Sequence, residues 1–287
     1  MSASLRGFYD DNYTTAPTGS KKNSFGFSVK PSISLNLPMD QTLISLRYAY
    51  GLYYYQDRED LGQKPVDQTH QLDLLLDHAF NERWQAKVTD SFVSAQEPGL
   101  VDGGTLRRTQ GNNIRNVGKA TVNTAWTELF STEVGYQNSL YDYQQSGIGS
   151  YSALLDRLEH LASLDVQWHF TSETMIFVGY AYGQANYTGN QIIDPVTGSV
   201  SNNRDSRSHY GYLGITHNFF SNLTLSARGG AQYVDYYNDP NTKNKVSPYA
   251  DISATYTYLP GSYIQLGLIR REMELIKLHQ AGLGKLL

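Results

Sequence analysis

The feature that most constrains the fold of this chain is an alternation of apolar and polar residues with a period of two. From Phe25 to Leu37 the odd positions are apolar or proline, and the even positions carry glycine, serine, lysine or asparagine. Successive side chains of a β-strand point to opposite faces of a sheet, so the pattern predicts strands with two unlike faces. It recurs, with interruptions, to residue 269. We count about thirteen such segments, each long enough for the roughly 9–11 residues that a tilted strand needs to cross a bilayer.

The composition does not fit an ordinary soluble domain. Hydrophobic residues make up 40% of the chain and charged residues 17%, below the roughly 45–50% and roughly 25% of globular domains. The 23 tyrosines, 10 phenylalanines and 3 tryptophans argue against disorder. The absence of cysteine excludes disulfides and thiolate chemistry, and a net charge of −4 does not indicate a nucleic-acid partner. No apolar run approaches the roughly 18 residues of a transmembrane helix.

The connections between the alternating segments are short and long in turn. Short ones fall near positions 38–41, 81–83, 125–128, 171–173, 221–222 and 259–261, and long polar ones near 10–23, 56–68, 96–111, 144–154, 188–206 and 238–244. Short periplasmic turns and long extracellular loops are typical of outer-membrane barrels. We therefore predict that residues 1–269 form the strands of an all-β, antiparallel transmembrane β-barrel, part of a barrel of about 14–18 strands that encloses an aqueous channel.

Aromatic residues cluster near the ends of the predicted strands. Amphipathic rings favour the membrane–water interface, although aromatics are also enriched in strands generally. The residues predicted to lie at the membrane interface are Trp84, Trp126 and Trp168 beside short turns, and Tyr54, Tyr141, Tyr187 and Tyr236 beside long loops.

The polar face of each strand is predicted to line the pore. The charged residues on it, seven basic and six acidic, are Lys30, Arg47, Asp73, Asp77, Lys87, Arg115, Lys119, Glu133, Arg157, Glu159, Asp165, Arg228 and Asp251. They could set cations against anions across a constriction, or pair with their neighbours in a hydrated interior. With both signs present and no ring of one sign, we expect weak ion selectivity at most. The loops at 96–111 and 188–206 are the longest and are candidates to narrow the channel.

Catalytic and metal-binding chemistry has little support in the sequence. None of the seven histidines stands beside a serine or aspartate in a motif context, so we expect no enzyme and no catalytic residue. Asp10, Asp11 and Asn12 offer oxygen ligands for Ca²⁺, but an Asx turn explains them more simply. We predict no cofactor and no metal.

Three segments carry a family resemblance: SASLRGFYDDN at residues 2–12, the strand at 24–37, and YADISATYTYLPGSYIQLG at 249–267. They resemble an outer-membrane β-barrel family that is similar to the porin-like and exopolysaccharide-operon barrels of Gram-negative bacteria. The resemblance implies an outer-membrane location and either passive permeation or a part in polysaccharide export. The partners it implies are outer-membrane lipid and lipopolysaccharide, the barrel-assembly machinery, and small solutes or polysaccharide.

The chain departs from that family at both ends. Met1 leads directly into an alternating segment, so we expect that a signal peptide has been removed or lies outside this sequence. Residues 270–287 read instead as a short basic amphipathic helix, and bacterial single-chain barrels have even strand numbers. We expect that C-terminal strands are missing through truncation or a frameshift; the alternative is a genuine interfacial helix at the barrel end.

Three functions remain open from the sequence alone. The first is a porin-like channel for passive diffusion of small hydrophilic solutes. The second is an outer-membrane barrel that assists exopolysaccharide export, which requires aromatic rings inside the lumen; Tyr141 and Tyr263 fall on polar faces, too few to favour it. The third is a soluble β-solenoid that binds a ligand.

Overall fold

The computed structural model describes residues 1–13, 18–61, 64–96, 111–189, 191–239, 242–259 and 262–270. Within these ranges the long strands are β1 (Ser2–Asp10), β2 (Ser24–Pro38), β3 (Thr42–Tyr55), β4 (Val66–Ala79), β5 (Trp84–Ala95), β6 (Asn113–Ala125), β7 (Phe130–Tyr143), β8 (Arg157–His169), β9 (Thr174–Tyr187), β12 (Ser206–Phe220), β13 (Leu223–Asp235), β14 (Lys245–Leu259) and β15 (Ser262–Arg270). The loops add the short strands β10 (Ile192–Asp194) and β11 (Ser199–Val200), the helix α1 (Tyr151–Leu155), and 3₁₀ turns at Gln56–Leu61 and Ser201–Arg204.

The long strands form a single 13-stranded sheet in which each strand pairs with its neighbours in the chain. All of its pairings are antiparallel, and β9 pairs with β12 across the small β10–β11 hairpin. The sequence-based prediction of an all-β antiparallel meander of the transmembrane-barrel type, with about thirteen strands, is confirmed. A β-solenoid stacks its strands in parallel, so the third functional alternative does not fit this topology.

The strand register carries the alternation across the whole sheet. Leu35 pairs with Leu46 and Leu46 with Leu74, so apolar residues of successive strands share one face. That face is open: Leu213 is 64% exposed and Val178 is 60% exposed. Uncharged side chains of the polar face are far less exposed: Gln232 is 2% exposed and Ser139 is 3% exposed. The polar face is therefore the inner one and the apolar face the outer one, the reverse of a water-soluble sheet but the arrangement of a barrel in lipid.

The short turns are closed by local side-chain hydrogen bonds. The Asn81 side-chain oxygen accepts hydrogen bonds from the backbone N–H groups of Arg83 and Trp84, at 2.9 and 3.0 Å. The Thr127 and Thr171 hydroxyls accept from backbone N–H groups of their own turns in the same way. Asn and Thr favour such turns because their side chains replace a backbone acceptor. The strands consequently reverse within a few residues on this side of the sheet.

The two edge strands run in the same direction. β1 and β15 both lead from the short-turn side to the long-loop side, and among the described residues each pairs with one strand only.

No helix in the described ranges is long and apolar enough to cross a membrane. Of the predicted tail helix at residues 270–287, Arg270 is the last residue of β15, and residues 271–287 lie outside the described part of the chain, as does any C-terminal strand after β15.

Candidate functional site

The register places all thirteen predicted lining residues on the inner face. The cross-strand pairs Arg47–Asp73, Asp77–Lys87, Glu133–Asp165 and Arg228–Asp251 each join two of them directly. Direct partners in a sheet lie on the same face, as do residues two apart along a strand. Following these rules from strand to strand connects the complete set: Lys30, Arg47, Asp73, Asp77, Lys87, Arg115, Lys119, Glu133, Arg157, Glu159, Asp165, Arg228 and Asp251.

Much of the inner charge is neutralised locally. Arg47 lies 3.2 Å from a carboxylate oxygen of Asp73, and Arg228 lies 3.3 Å from one of Asp251. Arg157 pairs with Glu159 at 2.6 Å within one strand. These contacts join neighbours along the wall and leave no belt of a single sign on it. Of the two arrangements that the sequence left open, these contacts favour the pairing of neighbouring charges along the wall.

Other lining charges bond to neutral groups. The Gln85 amide donates to Asp77 at 2.7 Å, and the Tyr212 hydroxyl donates to Asp165 at 2.7 Å. The Lys30 ammonium lies 4.8 Å from the centre of the Tyr53 ring. The inner wall therefore combines charges with tyrosine rings.

Two residues predicted for the membrane interface belong to this inner wall instead. Tyr141 pairs directly with Arg115 and Arg157, and Arg157 pairs with Tyr187. The Arg157 guanidinium carbon lies 3.9 Å from the Tyr141 ring centre. The assignment of Tyr141 and Tyr187 to an outer girdle is corrected: their nearness to a strand end was given more weight than the parity of their positions. A cation–π contact holds Tyr141 inward.

The outer face carries a girdle of rings beside the short turns. Trp84 packs on Trp126 with ring centroids 5.9 Å apart, and Trp168 contacts Phe170 at 5.2 Å. A repeated arrangement flanks them. The Thr42 hydroxyl hydrogen-bonds to His78, whose ring packs edge-on against Phe80, and the three residues Thr174, His217 and Phe219 repeat both contacts.

A second outer belt consists of three tyrosine–histidine pairs. The hydroxyl and imidazole Nδ1 are 2.8 Å apart in Tyr48–His70, 2.7 Å in Tyr136–His160 and 2.6 Å in Tyr180–His209. The tyrosines lie at the same height, each six residues into its strand. From His70 to His78, β4 rises about 26 Å at 3.3 Å per residue, or about 20 Å along the membrane normal for a tilt of about 40°.

The remaining interface predictions lie at the long-loop side. Tyr54 is on the apolar face and stacks on Phe27 at 5.2 Å. Tyr236 follows the last residue of β13. The belts and these residues bound an apolar band between the two ends of the strands.

At the long-loop side, two loops pack together over the inner face. Leu154 and Leu155 of α1 are buried against Tyr143, and Tyr141, Tyr151 and Ile193 pack around them. Because Tyr141 and Tyr143 lie on the inner face of β7, this cluster lies over the mouth of the wall. The 188–206 loop, one of the two predicted to narrow the channel, contributes Ile193; the other, 96–111, is almost entirely outside the described residues.

Arg204 joins these two loops. One of its terminal nitrogens donates to the backbone carbonyls of Ala153 and Leu154, at 3.1 and 2.8 Å. Its guanidinium carbon lies 4.0 Å from the centre of the Tyr187 ring on the inner wall. The last carbonyls of a helix have no N–H partner within the helix, and α1 is a single turn. Arg204 therefore supplies the hydrogen-bond donor for the carbonyls of Ala153 and Leu154.

Asp156 anchors the same loop, directly after α1. Its carboxylate accepts hydrogen bonds from the Tyr143 backbone N–H, at 2.7 Å, and from the Ser152 hydroxyl. Burial raises the pKa of the Asp156 carboxyl, while these two hydrogen bonds lower it in part. The loop is thus fixed by a buried polar network and an aliphatic cluster together.

We expect Arg204→Ala to loosen this mouth. The two α1 carbonyls lose a charged donor, a bond type that contributes roughly 1.5–3 kcal/mol, so amide exchange at Leu154 and Asp156 should become about tenfold faster or more. Exchange measured by NMR or mass spectrometry in detergent tests this. Arg207→Ala is the matched control, because Arg207 stacks on Tyr237 away from α1. Unchanged exchange in Arg204→Ala would contradict the role of Arg204.

The inner wall also contains an aromatic cluster that sequence reasoning missed. Phe177 and Tyr212 are both buried, and Met175, Tyr210 and Tyr249 pack against them. The sequence signal was present in three inward glycines, Gly179, Gly214 and Gly230, which leave room for rings on adjacent strands.

The candidate calcium ligands form a turn. The Asp10 carboxylate accepts the Asn12 backbone N–H at 3.0 Å, the geometry of an Asx turn. Over the described ranges, no group of three or more His, Asp and Glu side chains is arranged to hold a metal ion.

The matches to known proteins are all among solved structures. No protein-family model and no curated protein sequence matches the chain. Among solved structures, it is similar to an outer membrane channel from Pseudomonas putida F1 at 13% identity and a TM-score of 0.49, covering 93% of this chain and 94% of that one. It is also similar to the KdgM porin, at 10% identity and a TM-score of 0.35 over 90% and 98% of the two chains. The toluene transporter TodX of Pseudomonas putida follows, at 9% identity and a TM-score of 0.40 over 92% and 80%.

Proposed function

We propose that this chain forms the wall of an outer-membrane channel through which small hydrophilic solutes diffuse passively. The observation that carries the proposal is the inverted sheet, with exposed leucine and valine outside and with buried glutamine and serine and partly exposed ion pairs inside. Lipid satisfies the outer face, and water or a polar solute satisfies the inner one. In this arrangement the short turns face the periplasm, the long loops face outside, and the two outer belts contact lipid and lipopolysaccharide.

The charge arrangement supports a channel of low ion selectivity. The lining residues named above number seven basic and six acidic, and three ion pairs join neighbours along the wall. Paired charges of both signs attract cations and anions to a similar extent. Diffusion through such a pore needs no cofactor and no catalytic group.

The test is conductance across a planar bilayer. Full-length protein refolded in detergent should give stable steps of current, with a reversal potential near zero under a salt gradient. Glu133→Arg raises the net charge of the inner wall by two. It should keep the steps of current and shift the reversal potential toward anion selectivity. Protection from external protease verifies that the protein has inserted. Protein that is inserted by this criterion but carries no current would overturn the proposal.

A second candidate function, assistance to polysaccharide export, is favoured by one observation. Rings line the inner wall on β7, β9, β12 and β14, among them Tyr141, Tyr187, Tyr210, Tyr212 and Tyr249. Aromatic faces are suitable platforms for the C–H faces of sugar rings. Block of the current by long sugar chains but not by short ones would favour export over general diffusion.

A further inference from the structure

A connected group of four rings crosses the inner wall from β9 to β14. The ring centroids are 6.5 Å apart between Phe177 and Tyr212, 5.9 Å between Tyr212 and Tyr249, and 5.7 Å between Tyr249 and Tyr210. All four side chains lie on the polar face, in register with Gly179, Gly230 and other lining positions. Large rings are expected on the lipid side of a barrel, so their grouping on the water-facing wall calls for a separate explanation.

The two buried rings form a base against the wall. A Cβ atom added at Gly214 would lie 2.3 Å from the Phe177 ring, and one added at Gly179 would lie 2.2 Å from the Tyr212 ring. The two rings therefore cover the glycines, the arrangement known as aromatic rescue of glycine. The Tyr212 hydroxyl is fixed by its bond to Asp165.

Tyr249 stands on this base. Its ring is inclined by 52° to that of Tyr212 and by 69° to that of Tyr210. The Tyr249 ring therefore does not stack face to face on either neighbour. Tyr249 and Tyr210 are half-buried, in contrast to the fully buried Phe177 and Tyr212.

Hydrogen-bonding groups lie beside the Tyr249 and Tyr210 rings. Gln232 donates to the Tyr210 hydroxyl at 3.0 Å. Asp251 lies two residues from Tyr249 on β14, and its ion-pair partner Arg228 lies on the neighbouring strand β13. The side chains of Arg228 and Asp251 are 36% and 22% exposed, so a solute can reach them. With Asp165 the local formal charge is negative by one, which disfavours acidic solutes.

From this geometry we propose that Tyr249 and Tyr210, with Arg228 and Asp251, form a binding subsite for neutral oligosaccharides on the channel wall. The inference rests on the proposed channel and specifies its solute class. A sugar ring packs its C–H face on Tyr249, and its hydroxyls exchange hydrogen bonds with the polar groups around it. The site requires a flat apolar face with polar edges, which a neutral sugar supplies.

The first measurement is block of the single-channel current by maltohexaose added to refolded full-length protein. Polyethylene glycol of equal size is the control for simple occlusion, and a galacturonic acid hexamer is the control for charge. We expect block by maltohexaose and weaker block by both others. Tyr249→Ala should raise the half-blocking concentration about tenfold, the equivalent of one lost aromatic contact, whereas Tyr249→Phe should keep it.

Tyr256→Ala is the matched control, because Tyr256 lies on the same strand but faces outward. Equal block by the glycol, stronger block by the acidic hexamer, or no effect of Tyr249→Ala would overturn the subsite. If Tyr249→Ala does not refold, Tyr249→Leu replaces it. If the protein carries no current, only the channel proposal fails, and saturation-transfer NMR with maltohexaose in micelles still tests the subsite. Transfer that is lost in the alanine or leucine variant supports the subsite. No transfer in the unaltered protein refutes it.

Discussion

Leu164→Arg is expected to lower the free energy of unfolding by about 2–4 kcal/mol, the cost of arginine on the lipid face at the bilayer midplane. Leu164 is 46% exposed on the apolar face, opposite Val134 and Tyr180. It lies five residues from the short-turn end of β8, between the two outer belts. The guanidinium would have to reach an interface across several residues of apolar wall. Urea unfolding in the presence of phospholipid vesicles measures the change.

The matched inner-face substitution is Glu133→Arg. Glu133 pairs directly with Asp165 at nearly the same depth, so an arginine there faces a carboxylate across the strands. We expect a change in unfolding free energy below about 1 kcal/mol, as for partly exposed ion pairs. Asp165 itself is a poorer control, because it accepts the Tyr212 hydroxyl. Equal losses at Leu164 and Glu133 would rule out the assignment of the two faces.

Gly230→Val should have an effect of similar size through a different cause. A Cβ atom at Gly230 would lie 2.0 Å from the carbonyl oxygen of Gly211 and 2.7 Å from the Cα atom of Tyr212. Backbone atoms of a paired strand cannot move aside without breaking the ladder between β12 and β13. Overpacking typically costs about 1–3 kcal/mol where side chains can adjust, and we expect at least the upper value here.

The adjacent residue provides the control for this substitution. Gly229 points outward, and an added Cβ atom meets nothing within 4 Å. Gly229→Val adds a residue of high β-propensity to the apolar face and should be neutral or slightly stabilising. The fraction folded, read from heat-modifiable gel mobility, should fall in Gly230→Val only. A folded Gly230→Val protein with unchanged stability would show that the wall is looser at Tyr212 than the geometry requires.

The alternation of the sequence was sufficient to predict the faces, because parity along a strand is purely local. Phe25–Leu37 and the thirteen lining charges fall where the period of two puts them. The short turns were also predictable, since Asn81 and Thr171 carry their own turn chemistry. The prediction was wrong for Tyr141 and Tyr187 because nearness to a loop was given more weight than parity.

Contacts between distant strands were beyond the reach of the sequence. Phe177 meets Tyr212 because β9 pairs with β12 across an intervening hairpin; the inward glycines of these strands indicate room for rings but not which rings meet. The same holds for Asp90, which faces outward opposite Leu74 and is held by the Asn116 amide at 3.0 Å. A carboxylate on the apolar face breaks the alternation, and its compensation lies on the next strand. Arg204 and the α1 carbonyls are likewise some fifty residues apart.

The common direction of β1 and β15 imposes a parity rule on any fully antiparallel closed form of this sheet. Direct contact between these two edges would be parallel, unlike every other pairing in the sheet. Antiparallel closure requires an odd number of added strands. A hairpin adds two strands, so the new edge strand would again run in the same direction as β1. One descending strand after β15 would satisfy the rule, and it would return the chain to the membrane side on which β1 begins. A closed barrel of this type would therefore have both ends of its strand order on the short-turn side.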